Sequence, residues 1–219
     1  MITFEAIKRD EAIRAYIKKA DAALAVLGYT EHSFAHVGKV ADTAKYILET
    51  LGANPHTVEL AQIAGYTHDI GNVVNRSEHS QSGAIMMFRL LDHKDMPAED
   101  IATVVTAIGN HDEGTGVAVD KVSAALILAD KTDVRRSRVR KHDLSAFDIH
   151  DRVNYSVESS AIHVNKETMT LTLTLVIDTK ISSVMDYFEI FLDRMVMCRK
   201  AAEFLGLRFK LNINGQQML

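Results

Sequence analysis

The chain has 219 residues, 47% of them apolar, with 25 basic side chains against 29 acidic ones and a formal charge of −4. That supplies enough apolar material for a sizeable core, and the slight negative balance excludes a general nucleic-acid binder, which carries a basic surface. No apolar run reaches the ~18 residues of a membrane span, and the charged, amphipathic opening MITFEAIKRDEAIRAYIKKA lacks the apolar centre of a signal peptide.

Ile7, Ile13, Ile17, Ala20, Leu24 and Leu27 recur at helical spacing and predict a first helix over 5–27, closed by Gly28. A second helix is predicted from about His32 to Leu51, stopping at Gly52. Asn54 as N-cap and Pro55 at the first helical position open a third. After the polar loop GNVVNRSE, the segment HSQSGAIMMFRLLD predicts a fourth helix and PAEDIATVVTAIGNH a fifth, ending at Gly109 and Asn110. A sixth begins near Asp120 and carries KVSAALILADKTDVRR.

Near residue 158 the pattern changes. In SSAIHVNKETMTLTLTLVID threonine alternates with apolar residues, which is strand periodicity, with Asn165 to Thr168 as the hairpin turn. A long helix over roughly 182–205 and a last short strand, RFKLNI, complete the chain. Cys198, the only cysteine, falls inside that helix as a small buried residue. A lone cysteine permits no intrachain disulfide, so a reducing compartment and a cytoplasmic location are expected. The fold class is therefore mainly α: an all-α domain over 1–150, then a small α+β appendage over 151–219.

The stretch GYTHDIGN, residues 65–72, places His68 and Asp69 side by side at the end of an apolar helix. They could serve as a carbonyl cap and a turn starter, or belong to a metal site whose other ligands lie elsewhere. His32 and His36 are four apart on one helical face, His79 opens the fourth helix, and His111 follows the fifth. Asp130 sits inside the apolar run SAALILADKTD, where a carboxylate is costly unless it is paired or bound to a cation. Helices two to six thus each offer an imidazole or a carboxylate, and bundle metal sites are built from facing helices in this way. Ten histidines is a high count for this length, and histidine is the commonest metal ligand. Taken singly, a histidine at a helix end is more often a cap or a surface residue, and Asp130 could pair with Lys131, Arg135 or another base. The joint order is what points to a metal.

His36, the His68-Asp69 doublet and Asp130, in that order, resemble the HD superfamily of metal-dependent phosphohydrolases over roughly residues 30–140. The segments TAIGNHDEGTG and VDKVSAALILADKTDVRRSR are similar to the bacterial HD hydrolases that split diadenosine tetraphosphate symmetrically. His79 and His111 match the two additional histidines of the two-metal branches. The cyclic-dinucleotide HD-GYP enzymes share that set, but no Gly-Tyr-Pro occurs here. The resemblance implies an HD-domain helical bundle for 1–150 and does not extend to the appendage.

It also implies one or two divalent ions (Mn, Fe, Ni, Zn, Co or Mg). His36, His68 and Asp130 would hold the first, His79 and His111 the second, with Asp69 bridging, so that Asp69, His79 and His111 also stand at the reaction centre. The implied activity is hydrolysis of a phosphate ester or anhydride, with a nucleotide or dinucleoside polyphosphate as the expected substrate, by metal-activated water. The HD-type diiron oxygenases, of which inositol oxygenase is the known pattern, use the same ligand order, and a metal-binding sensor module is a third reading. The basic residues after Asp130 favour hydrolysis, and an intact six-ligand set argues against a sensor.

Relatives often carry lysine where Asn72 stands, so phosphate contact passes to Arg76, Lys131 or Arg135, with His32 as a further candidate for substrate binding. Arg136, Arg138 and Arg140 read equally as a solvated face, and His32 equally as a surface residue. Asp112 and Glu113 stand where they could assist a water or a leaving group; His56, His93, His142, His150 and His163 receive no role. The expected partner is a small phosphorylated molecule, with neither a membrane nor nucleic acid in general, and the appendage's exposed strand pattern suggests a homodimer contact.

Overall fold

The apolar stripe over 5–27 forms two helices rather than one, α1 (Phe4–Arg9) and α2 (Glu11–Val26). Asp10 breaks the run because an aspartate gains more as a cap than inside a helix: its backbone is extended, and its Oδ1 accepts from the Ile13 N–H at 2.9 Å. The chain is described here from a computed structural model covering residues 2–141 and 143–219, so His142 lies outside the described residues. Helix α3 (Phe34–Thr50) begins after the Ser33 cap, which leaves His32 in the extended segment before it.

Helices α4 (Pro55–Thr67), α5 (His79–Asp92) and α6 (Ala98–Gly109) lie where the periodicity places them, and α7 (Lys121–Lys131) begins where expected but stops short of the KTDVRR run. Asn54 caps α4, and Asp120 with Ser123 forms a capping box on α7. From Val122 to Ala129 every side chain of α7 is buried, because α3, α4, α6 and α9 all pack against it. A short helix α8 (Ile149–Ser156), closed by its own Asp148–Asp151 capping box, was not apparent in the sequence.

Strands β1 (Val157–Asn165) and β2 (Thr170–Ile177) form an antiparallel hairpin. Helix α9 (Val184–Phe204) then carries the chain to β3 (Arg208–Ile213), which pairs parallel to β2, and Gln216–Gln217 adds a short antiparallel β4. The sheet order is β1-β2-β3-β4. A parallel neighbour cannot be reached by a tight turn, and α9 is the required crossover. Its buried side chains Tyr187, Phe191, Met195 and Cys198 join the same core as α3, α4 and α7. Among the described residues no helix is long and apolar enough to cross a membrane.

Two glycines of GYTHDIGN set the packing around the doublet. A Cβ on Gly65 would lie 2.9 Å from Ala41 Cα, so α3 and α4 touch backbone to backbone there, and the His36 and His68 rings come to 5.3 Å. A Cβ on Gly71 would lie 1.9 Å from the His79 carbonyl oxygen. The 3-10 turn Ile70–Val73 after the doublet therefore rests directly on the first turn of α5, which aims His79 at Asp69.

Candidate metal centre

Five imidazoles share one hydrogen-bonding arrangement. Nδ1 of His32 faces the Thr30 carbonyl at 2.7 Å, that of His68 the Gly65 carbonyl at 2.8 Å, and that of His79 the Arg76 carbonyl at 3.1 Å. His111 Nδ1 faces the Ile108 carbonyl at 2.6 Å, and His36 Nδ1 the Asp133 carboxylate at 2.8 Å. These oxygens only accept, so the Nδ1 atoms donate and each neutral ring presents an Nε2 lone pair.

The Nε2 atoms converge on Asp69 and Asp130. Asp69 Oδ2 lies 3.2 Å from His68, 3.6 Å from His36 and 4.0 Å from His32, while Oδ1 lies 3.4 Å from His79 and 3.9 Å from His111. Asp130 Oδ1 is 3.3 Å from His36 and 3.6 Å from His68. The two oxygens of Asp69 thus face two separate groups of imidazoles. His36, His68 and Asp130 form one group able to hold a metal ion, and His68, Asp69 and His111 another.

The donor chemistry fits a cation. His36 Nε2 and His68 Nε2 are buried with no hydrogen-bond partner, an arrangement that costs free energy unless something positive binds there. His79 Nε2 lies 3.1 Å from His111 Nε2 and 3.2 Å from Arg76 Nη1, so the guanidinium supplies positive charge at the place where a second cation would bind. Imidazole and carboxylate donors together suit first-row divalent ions.

Charge in the site follows from these contacts. Burial opposes protonation of His68, but the carboxylates of Asp69 and Asp130 outweigh it and push its pKa up to about 10. A cation bound at Nε2 would compete with that proton. Burial lowers His32, His79 and His111, helped by Arg138, Arg76 and the His68–Lys131 pair respectively, so these three stay neutral. Burial would raise Asp69 and Asp130, yet His68 and Lys131 hold them well below the usual carboxylate range.

Behind His36, Asp133 is buried and accepts from Lys39 Nζ at 3.0 Å and Arg135 Nε at 2.9 Å as well as from the imidazole. Such a carboxylate fixes the ring orientation and makes Nε2 a stronger donor. Asn72, where lysine was the alternative, holds the doublet from the other side: its Nδ2 donates to Asp69 Oδ1 at 3.0 Å and to the Asp69 carbonyl at 2.9 Å.

The centre opens into a cavity of about 470 Å³, a size that suits a small-molecule ligand. His32, Arg76 and Lys131 line it. Arg135 does not; it turns back to Asp133 and Glu31. Arg138 takes the place on the wall, its guanidinium fixed by the Glu31 and Asp133 carbonyls at 2.9 Å each. The difference arises because α7 ends at Lys131, so the helical spacing that would carry Arg135 round to Asp130 no longer applies. His150 of α8 and Arg194 of α9 also reach the cavity. No sequence signal marks them or Asp133 as different from other charged residues.

The HD domain family matches residues 33–152, more than half of the chain, and the chain belongs to that family. An uncharacterized protein of Methanocaldococcus jannaschii is 28% identical over 191 residues, covering 76% of this chain and 73% of that protein. The crystal structure of a predicted HD superfamily hydrolase from an uncultured Thermotogales bacterium is similar with a TM-score of 0.46 and 22% identity, over 62% of this chain and 75% of that one. The family match ends inside α8, so the sheet and α9 lie beyond it.

Proposed function

We propose that the chain is a metal-dependent phosphohydrolase that cleaves a phosphate ester or anhydride, with a nucleotide or dinucleoside polyphosphate as the substrate class. The observation that carries this reading is the convergence of five Nε2 atoms on the two oxygens of Asp69, beside Asp130 and under a cavity where Arg76, Lys131, Arg138 and Arg194 stand among carboxylates. His36, His68 and Asp130 would hold one divalent ion and His79 and His111 a second, with Asp69 between them. Bound there, such ions polarise a phosphoryl oxygen and acidify water.

The chain's own groups do the rest. Arg76, stacked 5.5 Å from the Tyr29 ring centroid, and Lys131, 2.8 Å from Asp130 Oδ2, orient the phosphoryl oxygens and balance the charge that builds up on them. Neutral His32, with its Nε2 free to accept, is placed to take a proton from water beside Asp69 Oδ2. Water adds to phosphorus, the bond to the leaving oxygen breaks, and that oxygen keeps the electron pair. Arg76, Lys131, Arg138 and Arg194, on a wall that also carries carboxylates, give a phosphoryl group partners that an oxygenase's substrate need not use.

A screen of divalent metals against nucleotides, dinucleoside polyphosphates and generic phosphate esters tests the reading. Turnover should appear with at least one metal, and Asp69→Ala should remove both metal and turnover. Silence across the whole panel, or an active D69A variant, would refute it.

A further inference from the structure

Phe191 and Arg194 lie three apart on α9 and meet the cavity from an element beyond the family match. The Arg194 guanidinium lies 4.5 Å from the Phe191 ring centroid, a cation–π contact that holds it at the wall. Its Nε is 2.6 Å from Glu113 Oε1. The same oxygen is 3.3 Å from Lys131 Nζ, and that Nζ is 2.8 Å from Asp130 Oδ2. One carboxylate oxygen therefore sits between two cations, and the lysine also touches the metal-competent aspartate.

The Glu113 contact is incomplete. Arg194 Nε is buried and has no hydrogen-bond partner, because its N–H does not point at the Glu113 oxygen despite the short separation. The carboxylate neutralises the guanidinium but leaves its Nε N–H poorly aligned. Glu113 stands on the segment after α6 with 30% of its side chain exposed, so solvent can receive it. A phosphoryl group carries more charge and more acceptor oxygens than a carboxylate, and can meet an ammonium and a guanidinium together.

We propose that Lys131 and Arg194 form a seat for a second phosphoryl group of the substrate, kept by Glu113 as an internal counter-ion until the substrate displaces it. The proposal rests on the phosphohydrolase reading and narrows it to substrates with at least two linked phosphoryl groups. The reacting one lies at the histidine–aspartate centre, and its neighbour lies between Arg194 and Lys131, whose ammonium, between Asp130 and Glu113, serves both groups. Arg194 is then a specificity residue supplied from outside the HD domain.

Calorimetric binding of AMP and ADP to the full chain, with Mn²⁺ in excess over nucleotide, tests it. Wild type should prefer ADP. Arg194→Met should weaken ADP by about 10-fold, the scale of a lost charge-assisted contact, and AMP by less than about 2-fold. Glu113→Gln should tighten ADP by a few-fold, roughly the gain expected from releasing a competing counter-ion. A role for Glu113 confined to tying α9 to the bundle predicts the opposite, a lower Tm with no gain in affinity. Equal effects of R194M on both nucleotides, weaker ADP binding by E113Q, or no ADP preference in wild type would each overturn the seat. A chain that shows the expected binding but hydrolyses nothing would instead refute the hydrolase reading and leave the seat standing.

Discussion

Asp133→Asn changes one buried atom type and should be felt at the metal centre, although Asp133 is not among the groups facing the cavity. The carboxylate accepts from His36 Nδ1 at 2.8 Å, Lys39 Nζ at 3.0 Å and Arg135 Nε at 2.9 Å. An amide offers one oxygen for those three donors and turns an N–H₂ toward at least one of them. His36 loses its ionic partner, so its ring is freer to turn and its Nε2 is a weaker donor. Loss of such a supporting carboxylate costs about 10–100-fold in metal affinity, or ~1.4–2.7 kcal/mol. Stability should fall too. With 39% of the Lys39 side chain and 23% of that of Arg135 exposed, water replaces part of what they lose, which leaves about 1–3 kcal/mol and a Tm lower by ~3–10 °C. The assay is calorimetric titration of metal-stripped wild type and D133N with Mn²⁺ or Zn²⁺, with thermal melts alongside. Metal affinity within about 2-fold of wild type would show that Asp133 does not govern His36 and would refute the reasoning.

The raised pKa of His68 gives a pH signature. Stability tied to its proton is complete below the unfolded value of 6.5 and is lost as pH rises towards about 10, so the metal-free chain should lose up to ~1.4 kcal/mol per pH unit across that window. Metal loading should abolish the slope and release about one proton at pH 7.5, measurable by titration in buffers of different ionisation enthalpy. Gly65→Ala drives a methyl to 2.9 Å from Ala41 Cα and should cost ~1–3 kcal/mol in denaturant melts while spreading His36 from His68 and weakening metal binding. Arg76→Met should lower kcat/KM by about 10-fold or more with metal content unchanged by elemental analysis, and loss of metal would show that Arg76 supports His79 instead.

The histidine and aspartate positions were legible in the sequence because each lies at the end of a periodic segment or on its inward face. Helical repeats place His36, His79 and Asp130, and terminal signals place His68 and His111. The wall of the cavity was much less legible. Arg138 takes the place expected of Arg135 because helical spacing cannot be extrapolated past Lys131, where the helix stops. Asp133 is one acid in a charged run, and only the approach of α3 shows it is buried. Glu113 and Arg194 meet because α9 docks on α7, a long-range contact that no local pattern encodes. His32 was ambiguous because its position depends on Ser33 starting α3 late, which leaves the imidazole on extended chain.

The docking of α9 on α7 has a consequence in time. During synthesis the donors from His36 to Asp130 all emerge before α9, which then packs on α7 and, once made, on β3. The nascent chain can therefore gather its cation-binding side chains while one flank of the cavity is still missing. Selection among substrates through Arg194 would begin only once α9 has docked on α7.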